Sequence, residues 1–196
     1  MSGLQISTGL KYSSQGPALY AYELPEPGRE PGSSLDAIPL LWYSLQRPLA
    51  GHHPSDRWTG AAWLSLSGKQ TIVIAGRKAH GEVYYGNPRP TDCYPDKGYH
   101  GSSYEVQMLF YTPAELIGAA NRRGTATEID PWYRWDSRTP GGGIDRFMFK
   151  DCGRDIGGLT YDRQNNLLYM VEVDAGKTSL DEWEPTPVIH VFRVVE

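Results

Sequence analysis

Four of the five histidines, His52, His53, His80 and His100, fall in connections between apolar runs, together with Asp92, Asp96, Lys97, Asp155 and Asp174. The adjacent pair His52-His53 offers imidazole nitrogens to a transition metal. Neighbours in an extended chain point apart, however, and no carboxylate stands at a ligand spacing, so two exposed loop histidines are expected. His100 follows Lys97-Gly98-Tyr99 and has the chemistry of a general base. No Ser or Cys partner can be picked out for it, and a hydrogen-bonded structural role is the simpler expectation. Asp92 and Asp96 with loop carbonyls could hold calcium, although the D-x-D-x-D-G loop pattern is absent. Asp155 and Glu172 are the acids to consider for glycoside hydrolysis, which needs two carboxyls about 5–10 Å apart; spacing along the chain does not place them, and Asp155 equally well closes a turn. Tyr84, Tyr85, Tyr94, Tyr99 and Tyr104 crowd one long connection, where aromatic faces can stack on sugar C–H surfaces while polar neighbours read hydroxyls. The candidate ligand residues are therefore Tyr84, Tyr85, Asp92, Asp96, Lys97, Tyr99, His100 and Asp155, with no metal and no cofactor assigned.

Several functions are argued against by what the chain lacks. There is no G-x-G-x-x-G, no G-x-x-x-x-G-K-[ST] and no G-x-S-x-G, and the glycine-rich run 139–145 has no strand–turn–helix context, so it reads as a loop. The net charge is -4, and the largest basic cluster, Arg122-Arg123, is too small to bind a phosphate backbone. No apolar run is long enough to span a membrane, and Met1-Ser2-Gly3-Leu4-Gln5 does not open a signal peptide. Cys93 and Cys152 have no zinc spacing. Joined to each other they would close a long loop worth roughly 4 kcal/mol, but two free, half-buried thiols are expected. The pair does not fix the compartment.

The elements that carry these residues are strands. With 13 Tyr, 6 Trp, 22 Gly and 15 Pro, the composition favours β structure with many turns. "GAAWLSLSGKQTIVIAG" begins at Gly60 and turns at Ser67-Gly68-Lys69; "GGLTYDRQNNLLYMVE" begins at Gly157 and turns over 162–166. These two hairpins are copies of one unit. "GPALYAYEL" and "EVQMLFYTPAEL" form a second matching pair, each followed after a long connection by another strand, "IPLLWYSL" and "EIDPWYRWD". "TPVIHVFRVVE" supplies a final third strand. Lettered by position in the unit, the order is c-d, a-b-c-d, a-b-c. Self-similarity in short strands marks a repeat β fold, and a radially repeated four-stranded unit is a propeller blade.

The face pattern agrees. Val106, Met108 and Phe110 face opposite to Leu109 and Tyr111; Leu167, Tyr169, Val171 and Val173 face opposite to Leu168 and Met170. A strand apolar on both sides is buried on both sides. One helix is predicted after Thr112, with Pro113 at its first position, Glu115 completing a capping box and Gly124 as a stop. Trp132, Tyr133 and Trp135 lie on a fourth strand, where packing is their expected role.

Taken in order, "QGPALYAY", "IPLLWYS", "WTGAAWL", "IAGRKAHGEVYYG", "CYPDKGYHGSSYEVQMLFYTPAEL", "IGGLTYDRQNNLLYMVE" and "PVIHVFRV" resemble the C-terminal part of bacterial β-propeller-like proteins that have no assigned activity. The resemblance covers nearly the whole chain and implies further blades upstream. The expected fold is all-β, with antiparallel four-stranded propeller-type blades, about two and a quarter of them, and one short helix. Residues 1–50 give a partial blade, 51–137 a complete one and 138–196 a final partial one. An open blade face of about 500 Å2 would leave roughly 12 kcal/mol of burial unrealised. The expected partners are therefore additional blades, from a longer chain or from self-association, for example a trimer closing a ring; an irregular two-sheet sandwich is the remaining outcome. In a propeller the loops 50–56, 77–104, 136–155 and 173–186 emerge on one face, where ligands bind. The expected function is a non-enzymatic binding or scaffold module. The alternative is a carbohydrate-binding or glycoside-processing propeller.

Overall fold

The computed structural model describes residues 2–3, 14–22, 37–94, 97–121, 126, 129–149, 152, 154–173, 175 and 186–196. They are mostly in antiparallel strands, with one α-helix. β1 (Ser2–Gly3), β2 (Leu19–Tyr22) and β3 (Ala37–Leu41) form a first sheet in that order. β4 (Arg57–Leu66) and β5 (Lys69–His80) lead into a short ribbon, β6 (Tyr84–Gly86) paired with β7 (Gly98–His100). Next come β8 (Ser103–Tyr111), helix α1 (Pro113–Asn121) and β9 (Tyr133–Trp135), and the central sheet has the order β4-β5-β8-β9. β10 (Ile156–Asp162), β11 (Leu167–Glu172) and β12 (Val188–Arg193) make the third sheet.

Local chemistry explains the hairpins. Between β4 and β5, Ser67 and Gly68 take positive φ of 48° and 78°, the left-handed pair of a type I′ turn, whose twist matches that of the strands. Between β10 and β11, the Asp162 carboxylate accepts the amides of Gln164 at 2.8 Å and Asn165 at 3.1 Å, and Asn166 closes the turn at φ 55°. The register of β4 on β5 slips between Trp58 and Gly60. Gly76 lies opposite Trp58 there, and a Cβ on it would run into the Arg57 carbonyl oxygen. At α1 the Thr112 carbonyl accepts the amides of Glu115 and Leu116, so the helix starts where Pro113 predicts. The predicted stop, Gly124, lies outside the described residues.

The central sheet is apolar on both faces and covered on both. On one face Ile72, Ile74, Leu109 and Tyr111 pack with Leu19, Leu41, Tyr43 and Leu49 and with Leu116 and Ala119 of α1. On the other, Val73, Ala75, Val106 and Met108 pack with Ile144, Ile156, Leu168 and Met170. The alternation read in "EVQMLFY" thus divides its side chains between two cores, each buried side chain contributing about 1.5–3 kcal/mol. Tyr43 and Tyr111 share a hydroxyl contact of 3.0 Å, and the Tyr43 hydroxyl donates to the Ile129 carbonyl at 2.9 Å. Burial pushes both phenols well above their ordinary pKa.

Among the described residues the third sheet is covered on one side only, which corrects the expectation that the strand through Leu167 to Val173, apolar on both sides, is buried on both. Leu168, Met170 and His190 face the central sheet, whereas Ile189 and Val191, paired with Val171 and Tyr169, are exposed. Further expectations need correction. The long connection after β5 is not all loop, because the β6–β7 ribbon forms inside it. The cysteines are not free thiols: Cys93 and Cys152, 59 residues apart with Cα atoms at 5.2 Å, form a disulfide. The ribbon turns residue 93 back toward the connection that precedes β10. Among the described residues no helix is long and apolar enough to cross a membrane.

Candidate functional site

The start of β4, the end of β5, the start of β8 and the end of β9 lie at one end of the central sheet, because successive strands are antiparallel. Loops distant in sequence meet there. The hub is Asp56, whose side chain is wholly buried. Its Oδ1 accepts the Lys78 ammonium at 2.9 Å and the Ala79 amide at 2.8 Å, and its Oδ2 accepts the His53 amide at 2.9 Å. His52 Nδ1 lies 3.6 Å from Oδ2. Burial alone would raise the Asp56 pKa; the His52 imidazole, the Lys78 ammonium and the Ala79 amide outweigh it and hold the carboxyl below its usual range.

His53 corrects the expectation of two exposed histidines. It is 7% exposed, and its Nδ1 accepts the Ser55 amide at 3.2 Å. That bond places the neutral ring's hydrogen on Nε2, on the side of the Gly81 carbonyl. Burial pushes its pKa below the ordinary value against the opposing pull of Asp56. His52 is half-buried beside Asp56. Across the sheet end, Glu105, 4% exposed, has His80 Nε2 2.7 Å from one oxygen and accepts the Ser137 hydroxyl on the other. Ser137 donates directly to the carboxylate and not to the imidazole, which differs from a nucleophile–histidine–acid relay.

Between these two networks lies a polar cavity of about 370 Å3, whose lining includes His53, Lys78, His80, Gln107, Arg134, Asp136 and Arg138. Gln107 Nε2 donates to Asp136 Oδ2 at 3.4 Å, and its Oε1 is buried without a partner. Arg134 donates to the Ala50 carbonyl at 3.0 Å. The volume falls within the range of small-molecule sites.

The structure divides the residues singled out from sequence among three places. Tyr84, Asp92 and His100 meet on one side of the ribbon: the Tyr84 hydroxyl donates to Asp92, and the Tyr84 and His100 rings stack at 4.9 Å. The Tyr84 hydroxyl holds the Asp92 carboxyl below its usual range. His100 is 1% exposed with Nε2 3.3 Å from the Gly86 carbonyl, so it is a structural histidine and not an open base. Tyr85 and Tyr99 sit on the other side, edge to face at 5.0 Å, 63% and 46% exposed, with the Lys97 ammonium 6.0 Å from the Tyr85 ring. Asp155 is elsewhere, bound by Arg77 at 2.9 Å, and the Arg77 guanidinium covers the Tyr94 ring at 3.7 Å. Glu172 is fully buried, 2.7 Å from His190, so it is not an acid open to a substrate. Asp96 and Asp174 lie outside the described residues, among which no three His, Cys, Asp or Glu side chains are gathered as for a metal ion.

The cavity was missed in the sequence because its residues come from four separate stretches and carry no motif. The one available signal was the polar triplet Arg77-Lys78 and His80 closing an otherwise apolar strand. Trp135 packs as expected, its ring 5.6 Å from Phe192, but Trp132 and Tyr133 do not: they touch the Phe110 ring yet are 60% and 41% exposed. No family model, no curated protein and no solved structure matches the chain.

Proposed function

We propose that the chain is a binding or scaffold module of propeller-type blades, about two and a quarter of them, and that its ligand face is the loop end of the central sheet. The observation that carries this reading is the 370 Å3 polar cavity, placed where the loops converge and lined by Lys78 and Gln107, which are 6% and 3% exposed. Stacked antiparallel sheets form a rigid support, and sites framed by loops on such a support are the usual arrangement for recognition. Sheet-on-sheet packing across both faces of the centre supports the blade reading. The exposed Ile189 and Val191 support a further like sheet as the missing neighbour, from the same polypeptide or from another copy.

A screen of sugars, organic acids, amino acids and nucleotides by amide-resolved NMR tests this. A binder should shift residues 50–56, 78–81, 101–107 and 134–138. Conversion of any compound to product, or binding confined to the exposed face of the third sheet, would overturn it. The carbohydrate variant of the same reading rests on Tyr85 and Tyr99, an exposed aromatic pair with Lys97 beside it. Substituting both tyrosines by alanine would abolish glycan-array binding if that pair were the platform.

A further inference from the structure

Two cations of the cavity lining, Arg134 and Arg138, have no carboxylate of their own among the described residues. Lys78 is paired with Asp56 and His80 with Glu105. Asp136 is occupied by neutral donors: the Arg138 amide at 3.0 Å, the Thr139 hydroxyl at 3.5 Å and the Gln107 amide. Arg134 has the Ala50 carbonyl, an uncharged partner, and among the described residues neither the Arg134 nor the Arg138 side chain has a carboxylate in ion-pairing range. Two guanidiniums in one lining suit an oxyanion, which each can grip through two N–H groups. The single Asp136 carboxylate in the same lining disfavours a dianion relative to a monoanion.

The uncharged half of the lining adds a second requirement. Gln107 keeps an acceptor, Oε1, buried without a partner. A buried acceptor in that state is unfavourable until satisfied, and a ligand hydroxyl can donate to it. An apolar acid would leave it unmet.

We propose that the cavity binds a small hydroxylated carboxylate of the size of a sugar acid, with its carboxylate on Arg134 and Arg138 and a hydroxyl toward Gln107. The proposal rests on the ligand-face reading above and names the ligand class. Titration calorimetry on the full chain, with glucuronate, galacturonate, glucose and inorganic phosphate as probes, tests it. A hexuronate should bind, and the R134Q/R138Q double variant should weaken it roughly 10–100-fold. Q107L should weaken it roughly tenfold. R138Q alone, at an exposed position, should weaken binding without lowering the melting temperature, which separates lost recognition from lost folding. Absence of uronate binding at about 10 mM, equal affinity for glucose, equal affinity for phosphate, or uronate affinity unchanged in R134Q/R138Q would each overturn the proposal. A neutral sugar that shifts the same loops would overturn this inference and leave the binding-module reading standing; no ligand at those loops in the wider screen would remove both.

Discussion

Replacing Asp56 by asparagine tests whether the loop end is held by one buried charge. The Asp56 side chain is fully buried and meets the Lys78 ammonium at 2.9 Å, and the Lys78 side chain is only 7% exposed. D56N keeps the shape but leaves that ammonium buried without its counter-charge, a change that costs about 3–5 kcal/mol in buried pairs. It also weakens acceptance from the Ala79 and His53 amides. If the cost comes from the orphaned charge, removing the ammonium as well should recover most of it, and D56N/K78M should lie within about 1.5 kcal/mol of wild type. The assay is urea unfolding at pH 7 of the oxidised protein. The pH dependence follows from the depressed Asp56 pKa. Its contribution is fully present above the unfolded carboxyl value of about 3.9 and is lost as pH falls through the lower folded value. Wild type should therefore lose an acid-sensitive increment that D56N lacks. A D56N cost below about 1 kcal/mol, or a double variant no better than the single, would refute the buried-pair reasoning.

Other outcomes follow from the same structure. Reducing the Cys93–Cys152 disulfide, or replacing both residues by serine, should lower stability by roughly 4 kcal/mol; an unchanged urea midpoint after reduction would contradict that contribution. Tyr43→Phe removes the hydroxyl that donates to the Ile129 carbonyl and meets Tyr111, and should cost about 1–3 kcal/mol in thermal unfolding. Gly76→Ala forces a methyl onto the Arg57 carbonyl and should cost at least about 1–3 kcal/mol, read by the melting temperature.

What the sequence made legible was whatever depends on neighbours within one strand or turn. Ser67-Gly68 announced its turn because glycine readily takes the left-handed conformation that two-residue hairpin turns use. Val106 and Met108 against Leu109 and Tyr111 announced a strand between two cores, since side chains alternate across a sheet. The β6–β7 ribbon was hidden because Tyr84-Tyr85-Gly86 and Gly98-Tyr99-His100 are three residues each, set among prolines and glycines that read as loop. The disulfide was hidden because the pairing depends on how that ribbon folds back, not on cysteine spacing. Grouping the ribbon aromatics and acids as one ligand cluster placed Tyr84 and His100 with Tyr85 and Tyr99, although a strand sends them to opposite faces; Asp155 belongs with Arg77 instead. The cavity depends on register. Gln107 pairs with Gly76 and Lys78 with Glu105, and only that pairing brings the end of β5 to the end of β9.

Unfolding the pair Met108→Ala and Leu109→Ala in urea would decide whether the central sheet is enclosed by like neighbours. The two residues are adjacent, both are fully buried, and they face opposite cores. Each truncation should cost about 2–5 kcal/mol, because each leaves a cavity inside a packed layer. A cost under about 1 kcal/mol at either position would mean that one face of the sheet is wetted, and the stacked architecture would not stand.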